Sequence, residues 1–234
     1  MNKICNMDSV RWMPKEEIVF LASTLLEDYQ DFARKPVVPP VPVENIIERY
    51  LGLRLEYDDL QSMLNLPDIL GATWIKDKRI VIDQSLLDKK QHGRMFFTMA
   101  HEVGHWCLHR KAFIGPATRR ASAPEIVCRE SGAKAPGEWQ ADYFAATLLM
   151  PEMPVRTAFA EAFGFKPLII YNQKSIAPKL LFEVDLAWEH AGDIARVIIQ
   201  KGGFTNVSKT AMRIRLQELG LLINRTPERL AALS

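Results

Sequence analysis

Residues Met99 to His109, MAHEVGHWCLH, place three of the chain's five histidines and a glutamate in an otherwise apolar stretch. Phe96, Met99, Ala100, Val103, Trp106 and Cys107 recur there at i, i+3, i+4 spacing. That period predicts a helix over 93–110 that buries the stripe. A buried imidazole left without a partner costs about 1–3 kcal/mol. A fold that accepts this helix must therefore supply partners for His101, Glu102 and His105. A solvated polar face would lift the demand, but the apolar flanks on both sides argue against one.

A metal ion meets the demand directly. Residues four apart on a helix share a face, with about 5–6 Å between Cβ atoms. His101 and His105 can therefore reach one zinc ion at about 2.0–2.1 Å each. Glu102 lies about 100° further round the helix, beside the metal, where it can serve as a general base. Gly104 has no side chain and admits another backbone or a substrate. Two ligands need a third, and the segment GEWQADYFAATLLMP offers it. That segment reads as a helix opened near Gly137 and stopped by Pro151, with Glu138 and Asp142 again four apart. A glutamate ligand with an aspartate one turn on, fixing the tautomer of a ligand histidine, resembles the thermolysin-like zinc peptidases. The chemistry such a set supports is metal-assisted peptide hydrolysis. In it Glu102 takes a proton from water and passes it to the leaving nitrogen. His109, Tyr143 and an arginine of the following loop are candidates for stabilising the oxyanion or contacting substrate. His109 also suits a structural hydrogen bond.

Cys128 lies shortly before Glu138 in PEIVCRESGAKAPGE. A thiolate is a good fourth zinc ligand, and in that place it would exclude the catalytic water. An ordinary loop cysteine is the alternative.

The rest of the chain frames these segments. A helix is expected from Lys15 to Arg34, opened by Pro14, then a proline-stiffened stretch, KPVVPPVPVE. VENIIERYLG reads as a short helix ending at Gly52, LRLEYDDL as a strand, and GATWIKDKRIVID as a hairpin about KDK. A strand of that hairpin, placed at the sheet edge, would take substrate by strand addition. Ser85 is expected to cap a helix SLLDKK, and residues 113–137 to form a long loop. Beyond Pro151 come a helix near 154–162, the apolar FKPLIIYNQKS, and two helices around KGGFTNVS. The expected divisions are a helical segment 1–34, a core 35–165 and a helical region 166–234, in an α+β fold.

A net charge of +2 does not by itself argue for nucleic acid. Basic residues do outnumber acidic ones from Arg196 onward, and Ser208 would cap a helix carrying Lys209, Arg213 and Arg215. That region either contacts DNA or forms a packed helical pair through Val207, Ala211, Ile214, Leu216 and Leu219. Cys5, Cys107 and Cys128 form no disulfide framework, and a reducing compartment suits them. The N-terminal residues lack an apolar core of signal-peptide length, and no run approaches the roughly 20 apolar residues that span a bilayer. A cytoplasmic protein with no membrane contact is expected.

The blocks RMFFTMAHEVGHWCLH, EWQADYFAATLLMP and VSKTAMRIRLQELGLL resemble, in order and spacing, the ImmA/IrrE family of metallo-endopeptidases. The resemblance extends over roughly Val38 to Leu222, with 112–137 as an insert outside the pattern. It implies a zincin-like, thermolysin-type core with a small mixed sheet, followed by a helix-turn-helix-like C-terminal part. It implies zinc on His101, His105 and Glu138, with Glu102 as the catalytic carboxylate. Asp142 stands where the family usually has Asn. Such proteins act in bacteria and phages, and many cleave or antagonise a helix-turn-helix repressor. The expected partner is therefore a protein substrate of that class, cut to regulate transcription. The alternative is a DNA- or repressor-binding regulator whose zinc is structural.

Overall fold

A computed structural model describes residues 10–113, 124, 126–129, 135–170 and 191–224. It divides into two compact units, Met1–Pro151 and Glu152–Ser234.

The first unit opens with α1 (Lys15–Ala33), which follows Pro14 and closes at Arg34 in the left-handed conformation. Helix α2 (Val43–Asn45) runs into a π-helical turn over Ile46–Tyr50, and Gly52 at φ 65° ends it as expected. Strand β1 (Arg54–Asp58), helix α3 (Leu60–Leu64) and the hairpin β2 (Ile69–Trp74) and β3 (Arg79–Asp83) follow. The expected cap at Ser85 is corrected. A 3-10 turn over Gln84–Leu87 is capped by Asp83, whose carboxylate accepts from Ser85 N at 3.0 Å and from Leu60 N at 3.0 Å. Asp83 stands at the strand end, and its two acceptor oxygens serve both elements.

Helix α4 (His92–Phe113) is longer than its apolar stripe suggests, and α5 (Pro136–Leu149) starts with proline in its first turn. Between them lies a correction to the sequence reading. Residues expected to belong to a featureless loop contain β4 (Ile126–Arg129), antiparallel to β2. The sheet order is β1-β3-β2-β4, with β1 parallel to β3 and the other pairs antiparallel. Both hairpin strands are thus interior, and the idea that one of them takes substrate at an edge is overturned. The edges are β1 and β4.

One face of the sheet packs Ala72, Trp74 and Val81 with Leu60 and Ile69, and Val127 of β4 joins them. The opposite face carries α4. Side chains directly opposite on antiparallel strands share a face. Ile126 pairs with Thr73 and Cys128 with Gly71, so both β4 residues stand on the α4 side. The two long helices approach closely at Gly104, where an added Cβ would meet Ala141 O at 3.1 Å and Phe144 Cβ at 3.3 Å. The missing side chain admits a backbone, that of α5.

The second unit contains α6 (Glu152–Phe163), β5 (Leu168–Ile170), α7 (Ala191–Gly202), α8 (Lys209–Glu218) and β6 (Leu222–Asn224), with β5 and β6 parallel. Ser208 caps α8 as expected, accepting from Ala211 N at 3.1 Å. Its core uses Phe204, Val207, Met212 and Leu216, whereas Ile214, expected inside, is 45 % exposed. No described helix is long and apolar enough to cross a membrane. Residues Cys5, Arg225 and Arg229 and the stretch from Tyr171 to His190 lie outside the described residues.

Candidate metal centre

Helix α4 presents five consecutive buried residues, His101 to His105, because the sheet covers one side of it and α5 another. The sheet side handles Glu102. Thr73 Oγ1 of β2 donates to Glu102 Oε2 at 2.6 Å, and two residues earlier Gly71 leaves the space that Oε1 occupies. A Cβ on Gly71 would stand 2.7 Å from Oε1. Glu102 is fully buried, and Oε1 has no hydrogen-bond partner among the described residues. Burial pushes its pKa up to about 7, with His101 and Thr73 pulling against that. A carboxyl group held there is poised to exchange a proton near neutral pH.

The α5 side handles the histidines. His101 Nδ1 lies 2.9 Å from Asp142 Oδ1, and its Nε2 lies 3.1 Å from Glu138 Oε2. Burial works against charge on His101, but contacts with Cys128, Asp142 and Glu138 outweigh it and hold its pKa well above the usual range. Burial pushes the Cys128 thiol up, only partly offset by His101. A neutral thiol supplies no charge, so the two carboxylates are what hold the proton on His101. Burial likewise opposes ionisation of Glu138, yet its hydrogen bond with His101 carries it far below the ordinary carboxylate range.

His105 is held from behind by a chain of hydrogen bonds that fixes its tautomer. Gln140 Nε2 donates to Arg11 O at 3.1 Å; a carbonyl only accepts, so the amide orientation is set. Gln140 Oε1 therefore accepts from His109 Nε2 at 3.1 Å. His109 is buried and its pKa is lowered by that burial, which keeps the ring neutral and leaves Nδ1 as an acceptor. His105 Nδ1, 3.0 Å away, must carry the hydrogen. His105 Nε2 is then a bare lone pair, and burial and the neighbouring His101 push the ring's pKa down to about 4. That nitrogen sits 3.4 Å from Glu138 Oε1 but makes no hydrogen bond among the described residues.

The donor atoms of His101, His105 and Glu138 lie within 4.8 Å of one another, as do those of His101, Glu102 and Cys128. A buried lone pair on His105 beside an ionised carboxylate fits a divalent cation. The residues present fit a metal, and two nitrogens with one carboxylate oxygen suit zinc.

Tyr143 takes a different place. Its ring stacks on Trp139 at 5.5 Å between centroids, and Lys15 Nζ lies 5.1 Å from its centroid. Trp139 stacks in turn on Trp12. His109 is engaged on both ring nitrogens by His105 and Gln140. Thr73, Gly71 and Gln140 were missed by sequence reasoning. Only Gln140 carried a local signal, since it stands two residues after Glu138 on the next buried face of the same helix.

Residues 49–168 match the IrrE N-terminal-like domain, a family of peptidases. The chain belongs to that family. The match takes in the whole four-stranded sheet with α3, α4, α5 and α6, and it includes the segment 112–137 that the sequence blocks left out. It ends before α7 and α8, so the third resembling block lies outside it. No curated protein matches the chain.

Proposed function

We infer that this member of the peptidase family is a zinc-dependent endopeptidase, with His101, His105 and Glu138 as metal ligands and Glu102 as general base. The observation that carries the reading is the state of two buried atoms. His105 Nε2 is fixed as a lone pair facing Glu138, and Glu102 Oε1 has no hydrogen-bond partner among the described residues. Burying both without partners is costly, and a cation with its water would satisfy both. Bound there, zinc would act as a Lewis acid on a peptide carbonyl and acidify a water.

The chain's own residues do the rest. Glu102, oriented by Thr73, accepts the proton of the attacking water and carries it to the leaving nitrogen. Asp142 accepts from His101 Nδ1, which turns Nε2 toward Glu138 and the ion. The relay from Arg11 through Gln140 and His109 does the same for His105.

The substrate we propose is a helix-turn-helix repressor, met in the cytoplasm, whose cleavage would change transcription. Support for a DNA-binding role instead is weaker. Arg215 is 2 % exposed with Glu218 3.4 Å away, Arg196 pairs with Asp193 at 2.8 Å, and Lys201 lies 3.8 Å from Glu161. Cations engaged this way have less to offer phosphate. The test is to incubate the full chain with the helix-turn-helix repressor encoded beside it, with and without chelator. Chelator-sensitive cleavage, lost in Glu102→Gln, supports the reading. An intact repressor with zinc bound removes the proposed substrate, and a chain that binds no zinc removes the mechanism.

A further inference from the structure

The second donor cluster shares His101 with the ligand set assigned above and adds Glu102 and Cys128. Cys128 is brought there by the edge strand β4, opposite Gly71. Its sulfur is within 4.8 Å of a donor atom of His101 and of Glu102. Two ligands at about 2.0–2.3 Å on a tetrahedral ion are about 3.5 Å apart. A shift of roughly an ångström therefore separates this arrangement from one in which His101 and Cys128 share an ion.

Three independent features aim the sulfur at the centre. The β4 register puts Cys128 on the α4 face, with Ile126 on the same face anchored against Ile75. Gly71, its cross-strand neighbour, has no side chain to stand between the thiol and Glu102. Glu102 belongs to the same cluster, is fully buried, and its Oε1 has no hydrogen-bond partner among the described residues.

We propose that Cys128 is a displaceable fourth ligand of the zinc centre, a brake that holds the peptidase latent. The proposal rests on the zinc-peptidase reading. As the sulfur binds, the thiol proton leaves to solvent and the sulfur takes the position a water would hold. Release reverses both changes: the thiolate recovers a proton and water enters beside Glu102. No oxidation is needed, although alkylation of the free thiol would make release permanent. The position the sulfur takes is the one from which Glu102 would draw its proton, so bound sulfur and turnover exclude each other.

The test uses the full chain loaded with cobalt(II) in place of zinc. A cobalt–thiolate bond produces a near-ultraviolet charge-transfer band that nitrogen and oxygen ligands do not. The parent should show the band at one cobalt per chain. Cys128→Ser and Cys128→Ala should lose it while keeping one cobalt with visible ligand-field absorption. In a zinc competition against a chelator, both variants should bind about tenfold more weakly or worse, the scale of losing a supporting partner. Their basal cleavage should rise.

A parent that binds cobalt without the band overturns the brake and leaves the peptidase reading standing. A parent that binds no cobalt or zinc overturns both. A band that persists in both variants assigns the sulfur to another cysteine and overturns the role of Cys128. The parent spectrum needs no mutant, so misfolding of a variant cannot obscure the outcome.

Discussion

Helices α4 and α5 and strand β4 meet at the same few atoms, yet they reached that place by different routes. The helix pair repeats its chemistry every four residues: His101 and His105 on one helix, Glu138 and Asp142 on the other. One helical turn fixes which side chains share a face, so local spacing already implied the juxtaposition. Strand β4 has four residues, too few for a period, and its place depends on pairing with β2, far away in sequence. The helices supply the groups on which catalysis would depend. The strand supplies the group that would restrain it. A site built from rigid, locally specified elements can thus be regulated by a short edge strand whose attachment is non-local and weaker.

The largest expected effects fall on the helices. Glu138→Ala should lose most of its zinc by elemental analysis, since it removes a ligand and leaves His105 Nε2 facing nothing. Glu102→Gln should keep a full complement of zinc and lose cleavage by about 10²–10⁴-fold, the range for removing a general base. Full zinc in Glu138→Ala would mean that another group, Cys128 foremost, is the third ligand, and the division between helix and strand would collapse.

Next in size are the groups that aim the ligands. Asp142→Ala should free His101 Nδ1, and Gln140→Leu should break the relay behind His105. Each should weaken zinc about 10–100-fold in chelator competition. Asp142→Asn keeps an acceptor for His101 and should recover most of the loss. If it were as weak as Asp142→Ala, the side chain would be acting through packing and not through tautomer choice.

How much of this was legible follows the same division. The pairs His101–His105 and Glu138–Asp142, Glu102 beside the first, and the hairpin could be read because each lies within one helix or one short turn. Glu102's environment could not. Thr73 and Gly71 act on it from β2 only because the sheet runs beneath α4, and nothing near residue 71 in sequence announces a carboxylate. His109 was read as a substrate contact or a structural residue. Its contact with Gln140 was not readable, because that pairing spans two helices. Ser85 and Asp83 compete for one cap within three residues, and the tertiary demand of Leu60 N settles the contest for Asp83.

Thr73 offers a smaller effect and a cleaner one. Thr73→Val keeps the shape of the side chain and removes the hydroxyl that donates to Glu102 at 2.6 Å. A hydrogen bond to a charged group contributes about 1.5–3 kcal/mol, so cleavage should fall roughly 10–100-fold on that scale. Zinc affinity should be unchanged, because no ligand histidine depends on Thr73. Thr73→Ser should behave as the parent. A matching loss of zinc would show that Thr73 supports the metal and not the base.

The smallest effect separates the two described cysteines. Cys107 sits on α4, two residues past His105, and burial pushes its thiol up to about 12 with only Arg110 pulling it down. On α4 the ligand face repeats every four residues, and Cys107 stands half a turn from His105, away from that face. Cys107→Ala should therefore leave zinc affinity and basal cleavage within about twofold of the parent. Its cost is that of a small vacated volume in a packed interface, on the order of 1 kcal/mol, read as a modest drop in Tm. Loss of zinc in Cys107→Ala comparable to that in Cys128→Ala would mean that the helix, and not the strand, holds the sulfur that matters.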